Sequence, residues 1–229
     1  MQKPKLLLSW SSGKDSAWTL HQLRTQDQYV IVGLVTTINE EFGRVAMHAV
    51  REELLAAQAH AADLPLWRVP LPWPCPNAEY ELRMRTLIER ARAAGVTHMA
   101  FGDLFLDDVR AYRERQLTGT GITPVFPLWG LNTTLLAREM LRGGLRALLT
   151  CVDPKQLPRE FAGREFDEEL LAALPTSVDP CGEKGEFHTF CYAGPMYRAS
   201  VAIRAGDVVE RDGFVFADVL PLEFEKNQA

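Results

Sequence analysis

The amino-acid sequence predicts an α/β protein whose first part is a five-stranded parallel sheet flanked by helices. Residues 6–8 form a short apolar run typical of a buried strand, and Ala17, Leu20 and Leu23 follow at the spacing of a helix that packs on a sheet. Residues 29–37 are apolar and β-branched, as in a second buried strand. A strand, a helix and a further strand form a βαβ unit, which predicts a parallel sheet.

The same alternation continues along the first half of the chain. A polar loop follows the second strand, and a helix is expected over about residues 48–62. The proline-rich segment 70–76 excludes a helix or a central strand, and the next helix begins with Asn77 as its N-cap and stops at Gly95. The remaining strands are expected at residues 66–71, 96–101 and 123–127, with a loop and a helix over residues 104–116.

The pattern changes after Trp129 and Gly130. The hydrophobic periodicity predicts a helix over residues 132–142, a strand over residues 145–152 and a short helix over residues 167–174. Residues 178–190 are rich in Gly and Pro and are expected to form a loop. The tail, 197–219, predicts two strands joined by a hairpin turn at Asp212 and Gly213. We therefore expect two domains, residues 1–130 and residues 131–229, the second a smaller α+β domain.

Composition excludes several classes of function. The formal net charge of −5 disfavours general binding of nucleic acid, and no run of eighteen apolar residues predicts a membrane span. The first residues resemble the start of a signal peptide, but their apolar part is too short and is better explained as the first strand. These features predict a cytoplasmic protein.

The four cysteines, Cys75, Cys151, Cys181 and Cys191, are scattered in a chain too large to need disulfides. We therefore expect them to be reduced. A zinc site could be drawn from Cys181, His188 and Cys191. The spacing is not Cys-x2-Cys, and a fourth ligand would have to come from elsewhere, so zinc is disfavoured.

The most informative stretch lies between the first strand and its helix. Residues 11–16 read Ser-Ser-Gly-Lys-Asp-Ser and are called the serine loop below. The free N–H groups and the dipole of a helix N-terminus favour an anion, Gly13 permits close approach of a ligand, and Lys14 adds positive charge. The spacing is neither that of a Walker A loop nor that of a dinucleotide fingerprint. The alternative to a phosphate-binding role is that residues 11–16 form an ordinary Ser/Gly turn in an α/β protein.

The serine loop closely resembles the pyrophosphate-binding loop of the N-type ATP pyrophosphatases, the PP-loop superfamily. Two further stretches resemble the diphthine–ammonia ligase family within it. One runs from Asn39-Glu40-Glu41 through Arg44 and Met47-His48 to Arg51. The other reads Gly-Glu-Lys-Gly-Glu-Phe-His-Thr over residues 182–189, and is called the C-terminal signature below. The resemblance implies a HUP-like (adenine nucleotide alpha hydrolase-like) first domain that binds ATP and a second domain that binds an acceptor.

The resemblance also implies a reaction and its cofactors. Enzymes of the family activate the carboxylate of diphthine, on elongation factor 2, with ATP and condense it with ammonia. In bacterial members the acceptor is unknown. Mg²⁺ accompanies ATP, and Asp15 and Asp103 are the candidates to hold it. The residues expected to bind the nucleotide are Ser11, Ser12, Gly13, Lys14, Asp15, Ser16, Val35, Thr36, Gly102 and Asp103.

A second group of residues is expected to serve the acceptor and the ammonia, namely His48, Arg51, Glu183, Glu186 and His188. Lys14 and Asp15 are the expected catalytic residues for adenylation. Glu186 and His188 lie two apart, so in an extended segment they point to the same side, where one could hold ammonium and the other take its proton. The alternative is that Glu183, Glu186 and His188 belong to a structured loop, and that His48 and Arg51 make ordinary contacts at a helix N-terminus.

Two other functions stay open at this point. One is a PP-loop enzyme that adenylates another acceptor, for RNA thiolation or small-molecule amidation. The sequence has no Cys-x-x-Cys motif and no basic module to favour RNA. The other is a nucleotide-binding regulator without turnover, which the presence of Lys14, Asp15 and the C-terminal signature disfavours. The sequence also leaves open whether the chain acts as a monomer or a homodimer.

Overall fold

The described part of the protein contains two β-sheets and the helices that connect their strands. The computed structural model describes residues 2–41, 44–45 and 50–222. The strands of the first sheet are β1 (Lys5–Ser9), β2 (Val30–Asn39), β3 (Arg44–Val45), β4 (Leu66–Leu71), β5 (Val96–Ala100) and β6 (Thr123–Val125). The helices are α1 (Lys14–Gln26), α2 (Glu52–Ala61), α3 (Asn77–Ala93), α4 (Asp107–Leu117), α5 (Thr133–Arg142) and α6 (Glu168–Ala173).

The first sheet has the predicted parallel core. β1 pairs with β2 and with β5, β2 pairs with β4, and β5 pairs with β6, all in parallel. The five parallel strands therefore run in the order β4-β2-β1-β5-β6, and the short β3 adds an antiparallel pair to the end of β2. This arrangement confirms the α/β fold with a five-stranded parallel sheet, and it agrees with a HUP-like architecture. The carboxyl ends of β1, β2 and β5 lie side by side.

Successive side chains of β1 point to opposite faces of this sheet, and helices cover both faces. Leu6 and Leu8 belong to a core that includes apolar residues of α1, α2 and α5, whereas Leu7 belongs to a separate core with α3 and α4. All three leucines are almost fully buried, as expected for a central parallel strand. Among the described residues, no helix combines the length and apolar character needed to cross a membrane.

The second sheet is antiparallel and has four strands, β7 (Arg146–Val152), β8 (Phe187–Ala193), β9 (Ile203–Arg211) and β10 (Phe214–Pro221), in the order β8-β7-β10-β9. Its apolar residues, such as Leu149 and Phe190, belong to the same core as Trp10 and Leu20 of the first part. The two sheets thus share one hydrophobic core on the α1 face. The smaller α+β portion after residue 130 is confirmed as part of the fold class.

Several expected boundaries are wrong in detail. Helix α3 begins with Asn77 as its first residue, and the cap position is Pro76, because the chain before it is fixed in an extended conformation by proline. The expected loop at 178–190 ends in a strand, since Phe187 starts β8. That strand is buried on both faces and lacks the simple alternation that would have revealed it. The Asp212-Gly213 hairpin and the helix expected over residues 132–142 are confirmed, and Asn132 caps that helix.

Candidate active site

A cavity of about 390 Å³ opens at the carboxyl ends of β1, β2 and β5, where ligands bind in open α/β sheets. The N-terminus of α1 forms one wall and the C-terminal signature forms another. Ten of the predicted site residues line it, namely Ser11, Lys14, Asp15, Ser16, Val35, Thr36, Gly102, Asp103, Glu183 and His188. The topology therefore brings together, in one place, residues from distant parts of the sequence.

The serine loop has its unusual backbone at Ser12 and not at Gly13. Ser12 has a φ of 72°, in the left-handed region, whereas Gly13 has a φ of −82° and caps α1 in an extended conformation. Ser12 is fully buried, and its carbonyl accepts a hydrogen bond from the backbone N–H of Cys191 in β8 (2.9 Å). A non-glycine residue stays in this conformation only where its surroundings hold it there. Strand β8 supplies part of that hold.

The C-terminal signature reaches the start of helix α1 directly. The hydroxyl of Thr189 accepts a hydrogen bond from the backbone N–H of Lys14 (3.0 Å). This N–H is one of the donors that a helix leaves without an internal partner, and the N-cap residue Gly13 has no side chain to satisfy it. Thr189 therefore does, from the other sheet, what a capping side chain normally does locally.

Gln58 ties a third element to the same loop. It is fully buried in α2, and its amide nitrogen donates to the carbonyls of Ser12 (2.9 Å) and Cys191 (2.6 Å). Its amide oxygen accepts from the indole N–H of Trp10 (2.9 Å). All the polar atoms of this buried amide are thus engaged, as a buried polar side chain requires. Sequence reasoning missed Gln58 because a glutamine on a helix carries no motif.

Lys14 forms a buried ion pair with its neighbour. Its side chain is 2% exposed, and its ammonium group donates to both carboxylate oxygens of Asp15 (3.0 and 2.8 Å) and to the carbonyl of Cys181. Burial lowers the pKa of Lys14, but the charge of Asp15 and its hydrogen bond, together with Cys181 and Glu183, outweigh that effect, and the pKa is raised. Burial raises the pKa of Asp15, and Lys14 offsets only part of this. The ammonium is therefore retained at the cavity wall at neutral pH.

Gly102 and Asp103 follow β5 and face the first turn of α1. A Cβ atom at Gly102 would lie 3.1 Å from the backbone of Asp15 and Ser16, so a larger residue there would require the first turn of α1 to move by a few tenths of an ångström. Asp103 lines the cavity, and burial raises the pKa of its carboxyl group despite the nearby charge of Arg113. One oxygen of Asp103 is buried and makes no hydrogen bond among the described residues.

Glu183 connects the C-terminal signature to the loop after β5. Its carboxylate accepts a hydrogen bond from the backbone N–H of Leu104 (2.8 Å). Burial, opposed by this hydrogen bond and reinforced by the charge of Asp15, raises the pKa of Glu183 to about 7. A carboxyl group with such a pKa exchanges a proton readily near neutral pH, and Glu183 lines the cavity where such an exchange could serve a reaction.

Glu186 lies inside the loop and does not line the cavity. It is fully buried, and its two oxygens accept hydrogen bonds from the backbone N–H groups of Asp179 (2.8 Å) and Lys184 (2.9 Å). Asp179 in turn accepts from the backbone N–H of Cys181 (2.9 Å), whose carbonyl receives the ammonium of Lys14. Through these contacts Glu186 holds the backbone of the loop in place. The structure does not bring Glu186 and His188 to one side as expected.

His188 does line the cavity, beside the serine loop. Burial, with a contribution from the charge of Lys14, lowers its pKa to about 4. The imidazole is therefore neutral at neutral pH and binds a proton poorly there. Of the two predicted proton-handling groups, one is buried in the loop and the other is a weak base.

The amino-acid sequence is similar to one family model and to several known proteins. A family model described as the diphthamide synthase C-terminal domain matches residues 132–217. A diphthine–ammonia ligase of Bos taurus is 25% identical over 93% of this chain and 88% of its own length, and one of Danio rerio is 26% identical over 94% and 92%. The resemblance to the diphthine–ammonia ligases is confirmed.

A third diphthine–ammonia ligase, from Schizosaccharomyces pombe, is 24% identical over 90% of this chain but only 37% of its own length. The similarity to the Bos taurus and Danio rerio proteins extends over more than nine-tenths of this chain. The family model covers helix α5 through the first half of β10, which includes the whole C-terminal signature.

The diphthine–ammonia ligase resemblance also predicts Arg51 and His48 at the acceptor site. Arg51 forms an ion pair with Asp218 of β10 (2.6 Å), which raises its pKa, and it does not line the cavity. This contact joins α2 to the second sheet, as in the structural alternative. His48 lies outside the described residues. Ser12 and Gly13 shape the loop and are not among the residues that line the cavity.

An apolar wall of the cavity was missed in the sequence. It comes from α3 and from the ends of β4 and β5, and its side chains are Val69, Tyr80, Met84, Leu87, Met99 and Phe101. Tyr80, Met84 and Leu87 of α3 face the cavity, which the sequence pattern of an amphipathic helix does not reveal.

The cysteines do not form a metal centre with their neighbours. Within the described ranges, no group of three or more His, Cys, Asp or Glu side chains is arranged to hold a metal ion. Cys75, Cys151, Cys181 and Cys191 are all free thiols. Burial raises the pKa of Cys151 and Cys191 to about 12 and that of Cys181 further, so these three stay protonated and unreactive at neutral pH.

Proposed function

We propose that this protein is an ATP-dependent amide ligase that activates a carboxylate as an acyl-adenylate, releases pyrophosphate and condenses the activated carboxylate with ammonia. One observation carries the proposal. The serine loop and the C-terminal signature line a single cavity and are joined there by the Thr189 to Lys14 hydrogen bond. The similarity to proteins named diphthine–ammonia ligase supports diphthine as the acceptor class.

The nucleotide fits the cavity with its phosphates at α1 and its base toward the apolar wall. The helix N-terminus offers backbone N–H groups and a positive dipole end to the phosphates, and Ser11 and Ser16 add hydroxyl groups. Val35 and Thr36 of β2 and Gly102 after β5 line the same cavity as the apolar wall. A flat apolar surface suits the ring of adenine.

Lys14 is the cation closest to the expected position of the leaving pyrophosphate. As the acceptor carboxylate attacks the α-phosphorus, the bond to the β-phosphate oxygen breaks and negative charge grows on pyrophosphate. The ammonium of Lys14, held by Asp15 and the Cys181 carbonyl in the described structure, would shift toward that charge and stabilise it. The same residues explain why the ammonium is kept in a buried place.

Asp15 and Asp103 fit the requirements of a magnesium ion that accompanies ATP. Both carboxylates line the cavity beside the phosphate-binding end, and a buried oxygen of Asp103 is without a hydrogen bond in the described structure. Carboxylate oxygens, completed by phosphate oxygens and water, are the ligands that Mg²⁺ takes in nucleotide sites. When bound, the ion would neutralise phosphate charge.

We assign the proton handling in the second half-reaction to Glu183. Ammonia must lose a proton once it has attacked the acyl carbon, and AMP leaves as that bond forms. Glu183 lines the cavity and has a pKa of about 7, so its carboxylate can accept that proton. His188, which also lines the cavity, would contact the acceptor as a neutral imidazole. Glu186 supports the loop that presents both residues.

The experiment supplies the protein with ATP, Mg²⁺ and ¹⁵N-labelled ammonium. Its acceptors are elongation factor 2 bearing diphthine and, separately, a panel of small carboxylic acids. We expect ¹⁵N in an amide of the diphthine side chain by mass spectrometry, with one AMP formed for each amide. Lys14→Met, which keeps the volume of the side chain and removes its charge, should give neither product. Label in a small acid but not in elongation factor 2 would overturn the acceptor and keep the reaction class.

A further inference from the structure

Arg113, on helix α4, lines the same cavity but has no place in the function described so far. Its side chain is 31% exposed, and its Nε atom lies 3.6 Å from a carboxylate oxygen of Asp103. That separation is too long for a hydrogen bond. Both atoms are buried, and neither makes a hydrogen bond among the described residues. The two groups therefore form an ion pair without a hydrogen bond, and a ligand with oxyanion groups could complete the bonding of the guanidinium.

Aromatic side chains hold the guanidinium group in place. Arg113 lies over the ring of Phe101, 5.1 Å from its centroid, and Phe101 stacks on Phe126 at 5.6 Å. A planar guanidinium that rests on an aromatic face keeps its edge, with its N–H groups, free to bind oxyanions. Phe101 itself lines the cavity, so this edge lies at the cavity wall.

The charge balance of the cavity shows what Arg113 could bind. Among the described residues that line it, Lys14 and Arg113 are the two lysine or arginine side chains. The ammonium of Lys14 already contacts Asp15 and the Cys181 carbonyl. A triphosphate brings several negative charges into the cavity, and the guanidinium fork of arginine matches the oxygens of phosphate. Asp103, its neighbour, directly follows Gly102, which packs on the first turn of α1.

We propose that Arg113 is a second cationic binding residue, besides Lys14, for the polyphosphate of the nucleotide. This inference rests on the proposed function, because it takes the cavity to be the ATP site. The nucleotide's phosphate oxygens would satisfy the N–H groups that Asp103 approaches without bonding. Arg113 would then contribute to affinity for ATP and for pyrophosphate alike, since both present the same phosphate oxygens.

The test compares Arg113→Gln with Arg113→Lys by calorimetric titration of ATP and, separately, of inorganic pyrophosphate, each with Mg²⁺. We expect Arg113→Gln to weaken both by about tenfold or more, because a hydrogen bond to a charged group contributes about 1.5–3 kcal/mol. Arg113→Lys, which keeps the charge and loses the fork, should recover part of the affinity. A thermal unfolding midpoint close to that of the parent protein shows that the wall still packs.

Arg110→Gln is the matched control. Arg110 is one turn earlier on α4, lies over Phe126 and Trp129 and pairs with Glu114, but does not line the cavity. It should leave both affinities within about twofold of the parent. Unchanged affinities in Arg113→Gln would overturn this inference alone. Affinity for neither ATP nor pyrophosphate in the parent protein would overturn the proposed function itself. Weakened binding of an acceptor, with ATP unchanged, would reassign Arg113 to a carboxylate.

Discussion

The hydroxyl of Thr189 accepts a hydrogen bond of 3.0 Å from the backbone N–H of Lys14, 175 positions earlier in the chain. The last residue of the C-terminal signature thereby completes the first turn of the helix that follows the serine loop. Cys191, two positions further along β8, donates to the carbonyl of Ser12, and Gln58 bridges the same two residues. The second sheet is thus a structural part of the loop that we expect to bind phosphate.

Thr189→Val tests this relationship with little change of shape. Valine keeps the volume of threonine and removes the hydroxyl, so the N–H of Lys14 loses its partner. We expect a loss of about 1–3 kcal/mol in stability and about tenfold weaker ATP binding, measured by denaturant unfolding and by titration. Thr189→Ser, which restores the hydroxyl, should recover most of the ATP affinity.

Thr150→Val is the matched control for Thr189→Val. Thr150 is also buried in the second sheet, on β7, but its hydroxyl makes no hydrogen bond among the described residues. Replacing it should leave ATP affinity unchanged and should not lower stability. If Thr189→Val behaves like Thr150→Val in both measurements, the second sheet does not hold the serine loop.

Glu186→Gln separates a structural role from a catalytic one. Glutamine offers one acceptor oxygen where the carboxylate offers two, so one backbone N–H, of Asp179 or Lys184, loses its partner. We expect the free energy of unfolding to fall by about 1–3 kcal/mol. Glu89→Gln, at an exposed position on α3, should change stability by less than about 0.5 kcal/mol. Full stability together with slow amide formation would show instead that Glu186 acts in the chemistry.

Glu183 should give the protein a pH-dependent stability near neutrality. Its pKa is about 7 in the folded protein against an ordinary 4.5, so the folded state binds the proton more tightly than the unfolded state does. The resulting stabilisation is complete below about pH 4.5 and is lost as the pH rises through about 7. The difference in unfolding free energy between the parent and Glu183→Gln should fall over this range by on the order of 2 kcal/mol. A constant difference would contradict the raised pKa.

The sequence was a good guide to the parallel sheet because its signals are local. Apolar β-branched runs such as residues 29–37 and the helical stripe of α1 predict strands and helices on their own. The serine loop and the C-terminal signature were also visible as short motifs. Their meeting in one cavity follows from the topology, which places the ends of β1, β2 and β5 together.

Features that depend on distant contacts were not predictable. Gln58 and Arg113 carry no motif, and their importance appears only when another element is packed against them. Ser12, Lys14 and Ser16 of the serine loop are buried, which a polar motif does not reveal. The glycines and prolines of residues 178–190 predict a loop but not what holds it. In the structure, Glu186 accepts hydrogen bonds from the backbone N–H groups of Asp179 and Lys184 and thereby fixes this loop.

The proposed acyl-adenylate mechanism is tested most simply by identifying which bond of ATP is broken. The protein would be incubated with ATP, Mg²⁺, ammonium and diphthine-bearing elongation factor 2, and the phosphorus-containing products would be identified by ³¹P NMR, with Lys14→Met as the inactive reference. We predict AMP and pyrophosphate in equal amounts, formed only when the acceptor is present. ADP and orthophosphate, or cleavage that is the same without an acceptor, would contradict it.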